Sequence, residues 1–336
     1  MEQQPGPVNW AAYNPAPAEG MVRHWTLEAF AHGAEALAYF RWRQAPFGQE
    51  QMHAGLNRPD GALDQGGLEA QAAALDLKRL GPLPAPAPAP AALVFDYAAA
   101  WALETQPQGK GISWIQEAFA AYAALRRRGI DVDMVPPGGD LSPYRIVLVP
   151  CLPTISAEAL EAFAAAPAEV LFGPRSGSRT LEGRTPDELP PGPLQSLLPF
   201  KTTRVESLRP GAEPEVALNG ARFSGRLWRE RLESDLPAAA LFADGTPALL
   251  EAGRFAYLAT FPSPELLEAL IVRMAERAGV ASAPLPEGLR LRRRGPAVFA
   301  FNTAGETRRA PTPQGARVVL GDPVLAPGGV CVWRED

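Results

Sequence analysis

Between Met21 and Ala34 apolar residues recur at Val22, Trp25, Leu27, Ala29 and Phe30, close to the period of a helix, with Gly33 near its end. The pattern then changes. Ala36-Leu37-Ala38-Tyr39-Phe40 is a nearly unbroken apolar run ending in Arg41-Trp42-Arg43, which predicts a buried parallel strand opening into a polar loop. That loop runs from Gln44 to Gly67. A second helix is expected from about Leu68 to Leu80, stopped by Gly81-Pro82. Residues 82–91, PLPAPAPAPA, favour an extended polyproline spacer and place a domain boundary there.

Beyond the spacer, strand and helix patterns alternate. Leu93 to Tyr97 reads as a strand. Ser113 with Gln116 three residues on forms a capping-box pattern, and Ile115, Phe119, Tyr122 and Leu125 mark one face of the helix that follows. Arg126-Arg127-Arg128 and Gly129 suit its carboxyl end. Strands are expected at 130–135, 146–149, 169–172 and 255–260, with helices from Ser156 and from Ser263-Pro264 through Ala278. This is the pattern of an open α/β sheet with parallel core strands. From Leu285 onward the pattern shifts to short strands, 289–291, 298–301, 318–320 and 330–333, predicting a small all-β module. A module of about fifty residues has a marginal core of its own and is expected to pack on the rest.

The 336 residues allow two or three domains, and 46% hydrophobic with 21% charged residues describes a soluble, folded chain. A net charge of −5 gives no electrostatic footprint for nucleic acid, and the short runs Arg126–Arg128 and Arg290–Arg294 read as solvated helix-end or strand charges. No apolar run approaches the ~18 residues of a membrane span, and no secretion signal is evident, so a cytoplasmic location is expected. Cys151 and Cys331 lie far apart without CxxC spacing, which implies neither a disulfide framework nor a cysteine-rich metal site.

Two clusters carry candidate chemistry. MEQQPGPVNW sets Glu2 ahead of Gln3, Gln4, a Pro-Gly-Pro turn and Asn9-Trp10; AYFRWRQAPFGQEQMHAG carries Phe40, Trp42, Glu50 and His53. Carboxylates beside aromatic rings suit a pyranoside: oxygens for the acetal and flat faces for its C–H surface. Glu50 and His53, three apart, also fit one helical turn or a metal pair, whereas His24 and His32 read as ordinary helix residues. Of Arg41 and Arg43, one is expected to point inward, where it can orient a carboxylate. Cys151 follows a strand in a Val-Pro-Cys-Leu-Pro context, with no histidine beyond His53 to activate it, so a thiol nucleophile is not expected. Gly173-Pro174-Arg175-Ser176-Gly177-Ser178 resembles an anion-binding loop but lacks the spacing and lysine of a phosphate loop, and reads as a solvent loop or subunit contact.

These two clusters resemble the segment around the nucleophile in glycoside hydrolase family 42, the β-galactosidases. The resemblance implies three parts: residues 1–81, a C-terminal remnant of the (β/α)8 catalytic barrel; after the linker at 82–91, residues 92–282, an α/β trimerisation domain similar to class I glutamine amidotransferases; and residues 283–336, a small antiparallel β-domain. It implies Glu2 as nucleophile at the end of the seventh barrel strand, and Trp10, Phe40, Glu50 and His53 as the walls and hydroxyl partners of a galactose pocket. The expected partners are a β-galactoside and two further copies of the chain. A retaining glycosidase needs a second carboxyl group ~5–5.5 Å from the nucleophile. In the family that glutamate, and a cysteine-cluster zinc site, belong to the N-terminal half, so neither metal nor cofactor is expected here. The chain is therefore expected to be the C-terminal part of such an enzyme from a split, frameshifted or truncated gene. It is expected to be inactive without a separately encoded N-terminal half, with a non-catalytic oligomerisation module as the alternative.

Overall fold

A computed structural model describes residues 2–335, which divide into two compact units. The first joins the segment up to Ala87 with the segment from Leu285 onward; the second spans Pro88–Pro284.

The first unit opens with β1 (Glu2–Gln3), α1 (Met21–Ala31), β2 (Ala38–Tyr39) and α2 (Gln65–Leu80). β1 and β2 pair in parallel, Glu2 opposite Ala38 and Gln3 opposite Tyr39. The apolar run at 36–40 yields only two strand residues, and they are not buried, because β1 is the one strand beside them among the described residues. α2 begins three residues before its expected start, where the Asp64 carboxylate accepts the Gln65 N–H at 2.9 Å.

Helix α1 has no capping side chain of its own, since Gly20 precedes it with φ 86°. Glu69 of α2 supplies the cap: Oε1 accepts from the Gly20 N–H at 2.8 Å, and Oε2 accepts from Val22 at 2.8 Å and Arg23 at 3.2 Å. A buried carboxylate at a helix N-terminus satisfies donors that the helix leaves open and opposes its dipole. Glu69→Ala is expected to cost about 2–4 kcal/mol in urea unfolding of the full chain, because buried N–H groups lose their partner. A change within ~0.5 kcal/mol, the size of an ordinary surface substitution, would contradict this account.

The second unit holds β3 (Ala91–Val94), α3 (Tyr97–Thr105), α4 (Trp114–Arg127), β4 (Val132–Val135), β5 (Ile146–Val149), α5 (Ala157–Ala165) and β6 (Glu169–Phe172). It continues with β7 (Lys201–Ser207), β8 (Glu215–Leu218), β9 (Ala221–Glu233), β10 (Ala238–Phe242), β11 (Pro247–Ala252), β12 (Phe255–Leu258), β13 (Thr260–Pro262) and α6 (Pro264–Ala278). β4-β3-β5-β6-β12 form a parallel core in that spatial order, which is a doubly wound arrangement. From β12 the sheet continues antiparallel through β11, β10, β8 and β9.

Four sequence expectations fail here. Tyr97 begins a helix instead of ending a strand, because the Asp96 carboxylate accepts from Ala98 and Ala99 N–H and caps α3. Ser113 precedes α4 but makes no side-chain cap. The buried face of α4 is Trp114, Ala118, Ala121 and Leu125, while Ile115 and Phe119 face solvent. Arg126, expected to be solvated, is buried and paired with Asp131.

The chain then returns to the first unit with β14 (Leu289–Arg294), β15 (Ala297–Asn302), β16 (Arg308–Arg309), β17 (Arg317–Leu320), β18 (Val324–Leu325) and β19 (Val330–Arg334). The sheet β14-β15-β19-β17 is antiparallel. The two-residue period of β15 sends Phe299 and Phe301 to one face, against Leu27, Ala31 and Leu80, and Val298 and Ala300 to the other, beside Trp333. Arg294 is also buried rather than solvated: its Nε donates to Pro84 O at 2.7 Å and Nη1 to Phe30 O at 2.5 Å. Among the described residues no helix is long and apolar enough to cross a membrane.

Candidate active site

The two polar clusters of the sequence meet at the β1–β2 pair. Glu2 stands on β1 and Phe40 immediately follows β2, with the Phe40 N–H donating to Gln3 O at 3.0 Å. The Phe40–Arg41 peptide bond is cis. The loop after β2 folds back on itself, with Leu56 N–H donating to Arg41 O at 2.7 Å and Ala54 N–H to Pro7 O at 2.9 Å. Gly66 at the start of α2 lets the helix approach this region closely, since a Cβ there would stand 1.9 Å from Pro5 O.

This return brings His53 beside β1. Its ring is 3% exposed and lies 4.9 Å from the Phe40 ring, tilted by 58°. Gln4 links the two clusters: its Nε2 donates to Glu2 Oε1 at 2.8 Å, and its Oε1 lies 2.6 Å from His53 Nε2. The His53 Nδ1 is buried and has no hydrogen-bond partner.

Glu50 is exposed and forms an ion pair with Arg41 at 2.9 Å, while the Arg41 guanidinium lies 4.9 Å from the centre of the Phe40 ring. Arg41 is thus the member of the Arg41/Arg43 pair that meets a carboxylate. Trp10 is 73% exposed, and its neighbour Asn9 is anchored by Nδ2 donating to Gln49 O at 2.6 Å. Glu2, Gln4, Phe40 and His53 are therefore connected through side chains, with Glu50 joined through Arg41. Trp10 stands in solvent. Sequence reading overlooked Gln4, although an extended chain places residues two apart on the same side as Glu2.

Two residues that the sequence set aside as unreactive are buried. Cys151 is buried and desolvation pushes its thiol up to about 12, which leaves it inert as a nucleophile. Buried His24 packs against Phe301 with ring centroids 5.1 Å apart, and burial lowers its pKa. Among the described residues no three His, Cys, Asp or Glu side chains are grouped to hold a metal ion.

A carboxylate beside an amide, an imidazole and an aromatic ring offers hydrogen-bonding groups and one flat apolar face to a ligand. Residues 1–80 match the family model described as beta-galactosidase, and residues 89–281 match the beta-galactosidase trimerisation domain. The chain belongs to glycoside hydrolase family 42, the β-galactosidases. It is 57% identical along its full length to beta-galactosidase BgaA of a Thermus species and 38% identical over 93% of its length to beta-galactosidase Bga of Halorubrum lacusprofundi. The crystal structure of beta-galactosidase from the psychrophilic Marinomonas ef1 superposes on the whole chain with a TM-score of 0.95 at 40% identity, using 52% of that protein. The chain spans about half the length of the curated relatives it matches, 52% of BgaA and 48% of the Halorubrum enzyme.

Proposed function

We propose that this chain is the C-terminal part of a retaining β-galactosidase, supplying the nucleophile and one wall of the galactose pocket. The observation that carries the reading is the Glu2–Gln4–His53 chain beside Phe40 in a sequence matched to β-galactosidases from its first residues. Glu2 attacks the anomeric carbon to give a galactosyl-enzyme. A carboxylic acid from the N-terminal half of the enzyme protonates the leaving oxygen and then activates water. Gln4 holds the Glu2 carboxylate, Phe40 and His53 line the sugar, and the Arg41–Glu50 pair and Trp10 meet its hydroxyls and C–H face. Residues 1–81 are the barrel remnant, 82–91 the linker, 92–282 an amidotransferase-like trimerisation domain and 283–336 a small β-domain. A cytoplasmic enzyme without cofactor fits this reading. Co-expression with the N-terminal half of a family 42 enzyme should restore hydrolysis of a chromogenic β-galactoside. Failure of a soluble, assembled pair to turn over any β-galactoside would refute it.

The alternative, self-association without chemistry, is favoured by a specific surface. Tyr97 and Trp101 on α3 are 62% and 64% exposed, Phe119 on α4 is 62% exposed, and the residues form stacked pairs, Tyr97 with Trp101 and Phe119 with Tyr122. Clustered exposed aromatics mark interaction surfaces. We assign this face to contact with further copies of the chain, as the match to a trimerisation domain supports. The expected result is that Trp101→Glu with Phe119→Glu lowers the sedimenting species from trimer to monomer with the helical signal unchanged. An unshifted species would remove this face from the interface.

A further inference from the structure

We propose that the α/β unit binds a small organic anion, bearing a carboxylate or phosphate group, in the cleft at the carboxyl end of its parallel strands. In doubly wound sheets the crevice beyond the carboxyl ends of the strands is where ligands lodge. Here the loop after β6 opens into a cavity of about 420 Å³, within the range that holds metabolite-sized ligands.

Three arginines line it: Arg175 and Arg179 from the loop after β6, and Arg204 from β7. Arg175 is 2% exposed and adopts a left-handed backbone conformation, φ 67°. Its Nη1 donates to Pro107 O at 2.7 Å, its Nη2 to Gln108 Oε1 at 3.0 Å, and its guanidinium lies 4.9 Å from the centre of the Trp228 ring. These neutral acceptors fix the group without cancelling its charge. Among the described residues no carboxylate stands within ion-pair distance of Arg175, Arg179 or Arg204. A buried cation without a counter-ion is costly, and an anion relieves that cost.

The acid in the wall, Glu230, does not fill this role. Its oxygens are occupied by the Arg175 N–H at 2.9 Å, the Trp228 indole N–H at 3.0 Å and the Tyr257 hydroxyl at 2.7 Å. Burial raises its pKa, which further reduces its share of negative charge. An independent observation points to a ligand. Thr202, 4% exposed and lining the same cleft, has a hydroxyl without any hydrogen-bond partner. Buried hydroxyls are ordinarily paired, and an oxyanion in the cleft would accept its proton.

The test is calorimetric titration of the full chain in about 0.15 M salt, where screening suppresses loose surface binding. The probes are inorganic phosphate, citrate and, as a neutral control, galactose. Saturable one-to-one binding of phosphate or citrate is expected, with the tighter of the two identifying the preferred anionic group. Arg179→Gln and Arg204→Gln should each weaken it about tenfold or more, the loss of one charge-assisted hydrogen bond. Thr202→Val should also weaken binding while leaving thermal stability of the free chain unchanged or higher. No saturable heat from either anion, equal affinity for galactose, or binding untouched by both arginine variants would overturn the assignment.

Discussion

Replacing Glu2 with alanine, in this chain assembled with the N-terminal half of a family 42 enzyme, is expected to lower β-galactoside hydrolysis by about 10⁴–10⁶-fold. Losses of that order follow removal of an attacking group whose partners act with it as a unit. Among the described residues Glu50, the other acid of the site, is already paired with Arg41 at 2.9 Å. The effect separates from misfolding. Glu2 is exposed and its side-chain contact is the hydrogen bond from Gln4, so the substitution should leave stability within ~0.5 kcal/mol. Azide should restore part of the rate by entering the vacated space, giving a galactosyl azide inverted at the anomeric carbon. An active Glu2→Ala enzyme would remove the nucleophile from this position.

The largest stability effect is expected at Glu230. Glu230→Ala strands three buried donors at once, the Arg175 N–H, the Trp228 indole and the Tyr257 hydroxyl, and should cost about 3–5 kcal/mol in urea unfolding of the second unit. Glu230→Gln should be far milder. The amide oxygen accepts from Arg175 and Trp228, its NH₂ faces Tyr257, and that hydroxyl can turn to accept. The two variants also separate a pH effect. Desolvation raises the folded pKa of Glu230 above its ordinary value of 4.5, so its stabilising contribution is full below that value and declines as pH rises through the folded pKa. Glu230→Gln should remove this part of the decline. A Glu230→Ala cost below ~1 kcal/mol would contradict the buried network.

What the sequence revealed and concealed has physical causes. The parallel strands were legible because strands buried on both faces, such as Ile146–Val149, read as apolar runs. The antiparallel extension was not. In β9 the buried positions include Trp228, Glu230 and Leu232, so a buried acid breaks the apolar alternation that would mark a strand. The face of α4 was misread because aromatic residues outweigh alanines in hydrophobicity, while Ala118 and Ala121 are the residues small enough for close contact with the sheet. At the site, the family resemblance singled out Glu2, Phe40 and His53, which the folded chain brings close together. The Gln4 link and the Arg41–Glu50 pair depend on how the 41–57 loop folds back, which no local pattern encodes.

The central claim is that Glu2 forms a covalent bond to the sugar. Its most direct test is to treat the assembled two-part enzyme with a 2-deoxy-2-fluoro-galactoside carrying a good leaving group, then map the labelled peptide by mass spectrometry. The account requires the fluorosugar as an ester on Glu2, in the tryptic peptide ending at Arg23. Label on any other carboxylate, from an enzyme that remains competent to hydrolyse the unfluorinated substrate, would contradict it.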